Sequence, residues 1–253
     1  MTDIAFETEG RFLSLRGSFI DAIGSRLDQS IEEHYIQNRL ARDGADKGHH
    51  ITVINHLEIA DKAPKTLQDE DGNHQLPTSS KQRNRLFKQG QQTLLATILN
   101  QFGDASEWAK PVDLGLGSIE SVQAKTYYKV IYWPHGQMIR QYVGLGKSNF
   151  HVTVGFAPRD VHQYKGPGTL VCLQPNQPCS KELYARLIDY VPFYVTDKQF
   201  IKALYTTGWR HGFYALVARL TRVVLQSILR VLYYKLIGKK TISLPVTTAA
   251  PPV

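Results

Sequence analysis

Two short segments carry one pattern of chemistry-bearing side chains: His50-Ile51-Thr52 and His151-Val152-Thr153. In a strand, residues two apart share a face, so each segment presents an imidazole and a hydroxyl together. Ile51, Val53, Val152 and Val154 are β-branched and apolar and suit the opposite, buried face. Two such strands side by side surround a small space with two imidazoles and two hydroxyl donors. Cleaving a phosphodiester needs a base to deprotonate the attacking oxygen and an acid to protonate the departing one. Histidine, with an unperturbed pKa of about 6.5, serves either role near neutral pH. Threonine hydroxyls can donate to the non-bridging oxygens where charge grows. The scheme needs no metal and no cofactor.

A lone His-x-Thr in a strand is common and usually structural; the specificity lies in finding two, each in an apolar strand. His49 is expected to face away from His50, and His56 to lie beyond the strand end. Both read as surface residues, as do His135 and His162.

The elements that must position the pair follow from periodicity. Arg11–Leu15 alternates like a strand, and Phe19, Ile20, Ile23, Leu27, Ile31 and Ile36 are spaced for a helix reaching about Leu40. A polar turn, Arg42 to Gly48, leads into the strand His50–Ile54, completing a strand–helix–strand unit. Asp61 to about Gln82 reads as a long surface loop and Gln91–Phe102 as a helix. Val112–Ile119 and Thr126–Trp133 are strands. Gln137–Val143 suits a short helix or a strand equally, and Phe150–Phe156 is the second histidine strand, stopped by Ala157-Pro158. Beyond the two His-x-Thr segments there is no internal repeat.

A chain of 253 residues can bury one good-sized core with an appendage. Composition shifts set a domain edge near residues 175–200: a first domain over 1–180 and a basic helical extension over 181–253. Cys172 and Cys179 are too few for a disulfide framework and lack the partners of a zinc site. With an acidic, non-apolar start (MTDIAFETEG), the expected location is cytoplasmic rather than exported.

The net charge of +8 is unevenly placed. Nine Lys and Arg follow Asp197 with no Asp or Glu, which leaves 30 − 9 = 21 basic against 22 acidic residues upstream. The first 197 residues stand near neutral, at −1. Total charge therefore says nothing about nucleic acid at the histidine strands.

Other candidates are weaker. Lys81, Arg83, Arg85 and Lys88 could meet a phosphate backbone, though a solvated helix start explains them better. Tyr127, Tyr128, Tyr132 and Trp133 could stack bases, while core packing accounts for most of them. Tyr128, with Lys147 just ahead of the second motif, is kept as a candidate substrate contact. Gly115-Leu-Gly117 is too short for a dinucleotide loop and is set aside.

His50-Ile-Thr-Val and His151-Val-Thr-Val-Gly-Phe, with the strand–helix unit before the first, resemble the two-histidine (2H) phosphoesterases over about residues 10–170. More narrowly, Gly144-Leu-Gly-Lys, the second motif and Asp160-Val-His162 look like the fungal branch associated with RNA repair. The resemblance implies an α+β fold of two pseudo-symmetric lobes, each an antiparallel sheet with outer helices, around a central cleft. It implies RNA-type phosphodiester substrates, often 2′,3′-cyclic phosphate ends or small cyclic phosphates, and no metal. It makes His50, Thr52, His151 and Thr153 the catalytic set, with His151 as base and His50 as acid. Two departures stand out: a short stretch between Trp133 and His151, and the apparent insertion Asp61–Gln82. The competing reading is a non-catalytic RNA- or membrane-associated binding protein with a degenerate cleft; the four intact motif residues argue against it.

Residues 213–237 form an amphipathic helix with Arg219, Arg222, Gln226 and Arg230 gathered on one face. Spanning a bilayer would cost roughly 2.5–3.5 kcal/mol for each central Arg or Lys. Lying flat at an anionic membrane surface, packing on the domain or a partner, and serving as an RNA-binding arm stay open. The ending Thr247–Val253 is expected to be disordered.

Overall fold

Short alternating and β-branched runs pair into one antiparallel sheet of six strands, seen in a computed structural model that describes residues 3–27, 30–68 and 74–237. In chain order, β1 (Ala5–Glu9) and β2 (Phe12–Arg16) form a hairpin. Helices α1 (Ser18–Ser25) and α2 (Glu33–Asp43) cross over to β3 (Ile51–Ile54). Then come α3 (His56–Lys62), the small hairpin β4 (Leu67–Gln68) and β5 (His74–Gln75), and α4 (Ser80–Phe102). A second hairpin, β6 (Val112–Ser121) and β7 (Ala124–Tyr132), leads through α5 (Pro134–Tyr142) to β8 (Phe150–Ala157). Helices α6 (Lys181–Asp189), α7 (Val191–Tyr194), α8 (Lys198–Arg210) and α9 (Tyr214–Leu236) follow.

The strand order β1-β2-β3-β8-β7-β6 exposes a repeat that the residues conceal. Hairpin, helical crossover, third strand occurs twice, and the two third strands, β3 and β8, meet at the centre of the sheet. The mixed helix and antiparallel-sheet class expected from the sequence is what the chain adopts, with the two halves joined edge to edge. Each crossover helix packs on the other half's histidine strand, α2 on β8 and α5 on β3.

Several expectations need correction. The helix expected to about Leu40 is two helices, because its apolar residues do not form one stripe. Helix α1 buries Ile20 and Ile23, whereas α2 buries Arg39. The Asp61–Gln82 loop is shorter than expected, since α4 starts at Ser80 and not at Gln91. A capping box starts it: Ser79 Oγ accepts from the Gln82 N–H at 3.2 Å, and Gln82 Oε1 accepts from the Ser79 N–H at 3.0 Å. Lys81, Arg83, Arg85 and Lys88 all point to solvent on its first turns. The undecided Gln137–Val143 stretch is the body of α5, opened by Pro134 at its first turn.

Two apolar clusters flank the sheet. One joins Leu13, Leu15, Ile51, Val53, Phe150 and Val152 to α1, α4 and α5. The other joins Leu114, Tyr128 and Val130 to Tyr184, Leu187, Phe200, Leu204 and Leu220 of the C-terminal helices. Tyr128 and Val130 are in register with Thr153 and His151, so α6–α9 pack on the face of β7 that carries the second motif's side chains. Lys239, Lys240 and Thr247–Val253 lie outside the described residues.

Candidate active site

The two histidine strands are brought together at the centre of the sheet, where Ile51 pairs with Val152. Continuing that antiparallel register sets His50 opposite Thr153 and Thr52 opposite His151. Residues so placed have Cβ atoms about 4.5–5.5 Å apart. Ile51, Val53, Val152 and Val154 are buried, while the four motif residues are half-buried on the other face. The pattern expected from alternation is thus realised twice, around one pseudo-twofold.

Strand β2 completes the first half of the site. Phe12 stacks on the His50 ring at 6.3 Å, and Ser14, fully buried, is in register with Thr52. Arg16, two residues on, donates to Ser14 Oγ at 3.3 Å and is gripped by Glu7 and Glu9 of β1. The His50 imidazole is pushed down to about 4, first by burial and then by the Arg16 charge, with Asp43 acting in the opposite sense.

In the second half, His151 Nδ1 lies 3.2 Å from the Asn149 carbonyl. A carbonyl only accepts, so Nδ1 carries the hydrogen and the Nε2 lone pair of the neutral ring is left free. Burial, then the Lys165 charge, pushes His151 down to about 4. Lys165 is itself buried, donates to Asp160 Oδ1 at 2.6 Å and sits 5.5 Å from the Tyr128 ring. Asp160 also accepts from Arg42 at 3.0 Å and from Thr126 at 3.2 Å. Burial alone would raise that carboxyl, but Lys165 and Arg42 outweigh it and hold it low. Arg42 in turn binds Asp43, whose charge acts on His50, so one charge network reaches both imidazoles.

A second symmetric feature fixes the strands. Arg140 of α5 donates to the Val53 carbonyl at 2.7 Å, and Arg39 of α2 donates to the Val154 carbonyl at 3.1 Å. Val53 and Val154 each follow the motif threonine, so a buried arginine from each crossover helix holds the same position of the opposite motif strand. Arg140 also donates to the Gly146 carbonyl at 2.8 Å and grips Glu58 at 2.6 and 3.0 Å.

Among the other predicted residues, Tyr128 is corrected. It is fully buried, its hydroxyl donates to Thr169 at 2.6 Å, and its ring packs edge-on against His151 at 5.7 Å. Tyr128 supports the histidine and has no free face for a base. Lys147 is exposed, with Nζ 5.5 Å from the Phe193 ring, on the wall of a cleft of about 410 Å³ shared with Ser148, Asn149 and Lys198. The histidines do not line that cleft; it opens beside the loop that enters β8. Tyr132 and Trp133 are packed among aromatic and apolar neighbours, and Tyr127 stands edge-on to Tyr35. His49 is no surface residue. It packs so tightly on α1 that a Cβ at Gly24 would lie 2.2 Å from its ring, and its N–H donates to Asp21 at 2.6 Å. His135 is half-buried against Trp108, Trp133 and Phe102. His56 and His162 are exposed, as expected. Among the described residues, no three His, Cys, Asp or Glu side chains gather as metal ligands.

Removing the Lys165 charge tests the local electrostatics. In Lys165→Met the His151 pKa is expected to rise from about 4 toward its ordinary value, read by NMR titration of the ring protons, with Lys165→Arg as the charge-retaining control. An unmoved His151 titration would remove Lys165 from this role.

A model of the family described as Swiss Army Knife, 2H phosphoesterase domain, matches residues 11–162. That span holds both His-x-Thr segments, every strand of the central sheet but β1, and both buried arginines; β1, Lys165 and α6–α9 lie beyond it. No curated protein and no solved structure matches the chain.

Proposed function

Because the chain belongs to the 2H phosphoesterases, we propose that it hydrolyses RNA-type phosphodiesters, chiefly 2′,3′-cyclic phosphate ends, in RNA processing or repair and without a metal. The observation that carries this reading is the register that faces each imidazole with the other motif's threonine. A phosphate seated between the strands meets hydroxyl donors from both sides and an imidazole on each flank.

His151 suits the base. It is neutral at physiological pH, and its Nδ1–H is tied to Asn149, so Nε2 can take the proton of an attacking water. The water oxygen then bonds to phosphorus as the bond to O2′ or O3′ breaks. His50 suits the acid, giving its proton to that departing oxygen. Burial and Arg16 favour its neutral form, but a phosphate anion alongside favours the charged one, as Asp43 already does. Thr52 and Thr153 hydroxyls donate to the non-bridging oxygens, where negative charge concentrates in the transition state.

The RNA assignment draws on the sequence resemblance and on the cleft beside Asn149. Its roughly 410 Å³ matches the size of a small-ligand pocket. Lys147 and Lys198 bring positive charge to it, offset in part by Asp197, and Phe193 an aromatic ring on which a base could stack. The test is a panel of 2′,3′-cyclic nucleotides, an RNA with a cyclic end and a cyclic phosphate of ADP-ribose, assayed with EDTA. Turnover of at least one, undiminished by EDTA, is expected. Binding throughout without turnover would instead support a degenerate cleft.

A further inference from the structure

Helix α9 has two apolar faces, and the described residues cover only one. Val217, Leu220 and Ser227 are buried against the domain, Leu216, Val223 and Val224 are half-covered, and Arg219 pairs with Asp189 of α6. At 3.6 residues per turn, Leu225, Ile228, Leu229, Leu232 and Leu236 fall on a second stripe turned about a third of a circle away. That stripe is open to solvent, with Leu229 65 % and Leu236 85 % exposed. Tyr233 stands exposed near one end, and at the other the exposed rings of Tyr214 and Trp209 lie 5.4 Å apart. Arg222 and Arg230 are exposed on the same helix, and from Lys198 onward the chain holds nine Lys and Arg and no acid.

We propose that this face seats the protein on an anionic phospholipid surface, with α9 lying in the plane of the headgroups. The three observations fit that one occupant. An apolar stripe of leucines and isoleucine needs a hydrophobic layer. Exposed Trp209 and Tyr214 at one end of the stripe and Tyr233 near the other suit the headgroup boundary. Arginines without any acidic neighbour on their helix need an anionic counterpart. A second copy of the chain is a poorer match, because stripe against stripe would set Arg222 and Arg230 near their own likenesses with no carboxylate on α9 to pair them. RNA would answer the arginines and leave the leucines wet. The helix lies on the bilayer and does not cross it: among the described residues none is long and apolar enough to span a membrane.

The test is flotation of the full chain with vesicles of about one-third phosphatidylserine in phosphatidylcholine, and with phosphatidylcholine alone. The protein is expected to float with the anionic vesicles and to partition at least about tenfold less onto the neutral ones, with binding weakened by salt. The double variant Leu229→Glu/Leu232→Glu, whose sites are already exposed, is expected to keep its circular dichroism and melting midpoint and to lose flotation. Arg222→Glu/Arg230→Glu is expected to lose most of the anionic preference. Three results would each overturn the proposal: a full chain that stays unbound, equal flotation of the Leu229/Leu232 variant, or sedimentation showing a lipid-free dimer that this variant dissociates. Loss of RNA binding, but not of flotation, in the arginine variant would assign the charge to nucleic acid.

Discussion

Replacing either His50 or His151 by alanine is expected to lower kcat for a 2′,3′-cyclic nucleotide by about 10²–10⁴-fold, the usual contribution of one acid–base group. The double variant is expected to lose little more than the worse single one, because base and acid act in the same step. The pH profile gives the sharper signature. Both imidazoles are pushed down to about 4, first by burial. Turnover needs one protonated and the other neutral, so above that value the productive fraction of free enzyme falls about tenfold per pH unit. The descending limb of kcat/KM is therefore expected well on the acid side of neutrality. In the bound complex the substrate's negative charge raises the pKa of the acid, and the limb of kcat is expected at higher pH. The two macroscopic limbs belong to the pair and not to either residue. A kcat/KM flat from roughly pH 5 to 8 would show that the two pKa values bracket that range and would overturn the low value for both imidazoles. Stability runs the other way. The folded protein binds fewer protons at these histidines than the unfolded chain, so stability is complete above about 6.5 and declines as pH falls toward 4. The acid limb has to be read on protein shown to be folded.

How far the sequence reaches can be judged from particular residues. The histidine strands were readable because strand alternation is a period of two, and β-branched residues on one face leave the imidazole and hydroxyl on the other. Their partnership across the sheet centre was not. It depends on β3 and β8 being neighbours although α3 to α5 and four strands intervene, and no local pattern encodes that. The repeat escaped for the same reason: its two copies share topology while their crossovers differ, α1 and α2 in one and α5 alone in the other. Strand β1 was missed because Glu7 and Glu9, which made the N-terminus look merely polar, are the carboxylates that grip Arg16.

Charge inside the protein was the larger blind spot. Arg39, Arg140, Lys129 and Lys165 are all buried, and hydrophobic periodicity treats such residues as markers of the outer face. One signal was available for α4, the Ser79 and Gln82 capping box, which lay inside a stretch read as loop from its composition. Lys165 lies in a punctuated segment with no motif of its own, and Asp160 entered only through a resemblance that gave it no role. Only their convergence with Arg42 beside the two imidazoles gives them a role. The apolar tail helix was visible as amphipathic, but a helical wheel cannot say that one of two apolar faces is taken up by Tyr184, Phe200 and Leu204 and the other left open.

Replacing Arg140 by methionine is expected to destabilise the protein by about 3–5 kcal/mol, the range for breaking one side of a buried ion pair. Its guanidinium meets Glu58 on α3, Val53 on β3 and Gly146 ahead of β8, so a single side chain joins three segments around the motif strands. Methionine fills much of the same volume, which limits any cavity and isolates the polar loss. Glu58 would be left without its cation, and two carbonyls would lose a charged donor, each at a cost of about 1–3 kcal/mol if it stays dry. Adding Glu58→Gln to Arg140→Met is expected to recover only part of the loss, since the carbonyls of Val53 and Gly146 remain unanswered. Arg39→Met, which frees the Val154 carbonyl, is expected to cost less, because among the described residues Arg39 donates to that carbonyl and grips no carboxylate as Arg140 grips Glu58. Urea unfolding of the four proteins at neutral pH checks the order. An unfolding free energy for Arg140→Met within about 0.5 kcal/mol of the parent, the scatter of neutral surface changes, would mean that other packing holds the strands. If the brace also sets the motif register, the folded fraction of Arg140→Met should show a lowered kcat, since misplacing catalytic groups by about 1 Å can cost 10²-fold.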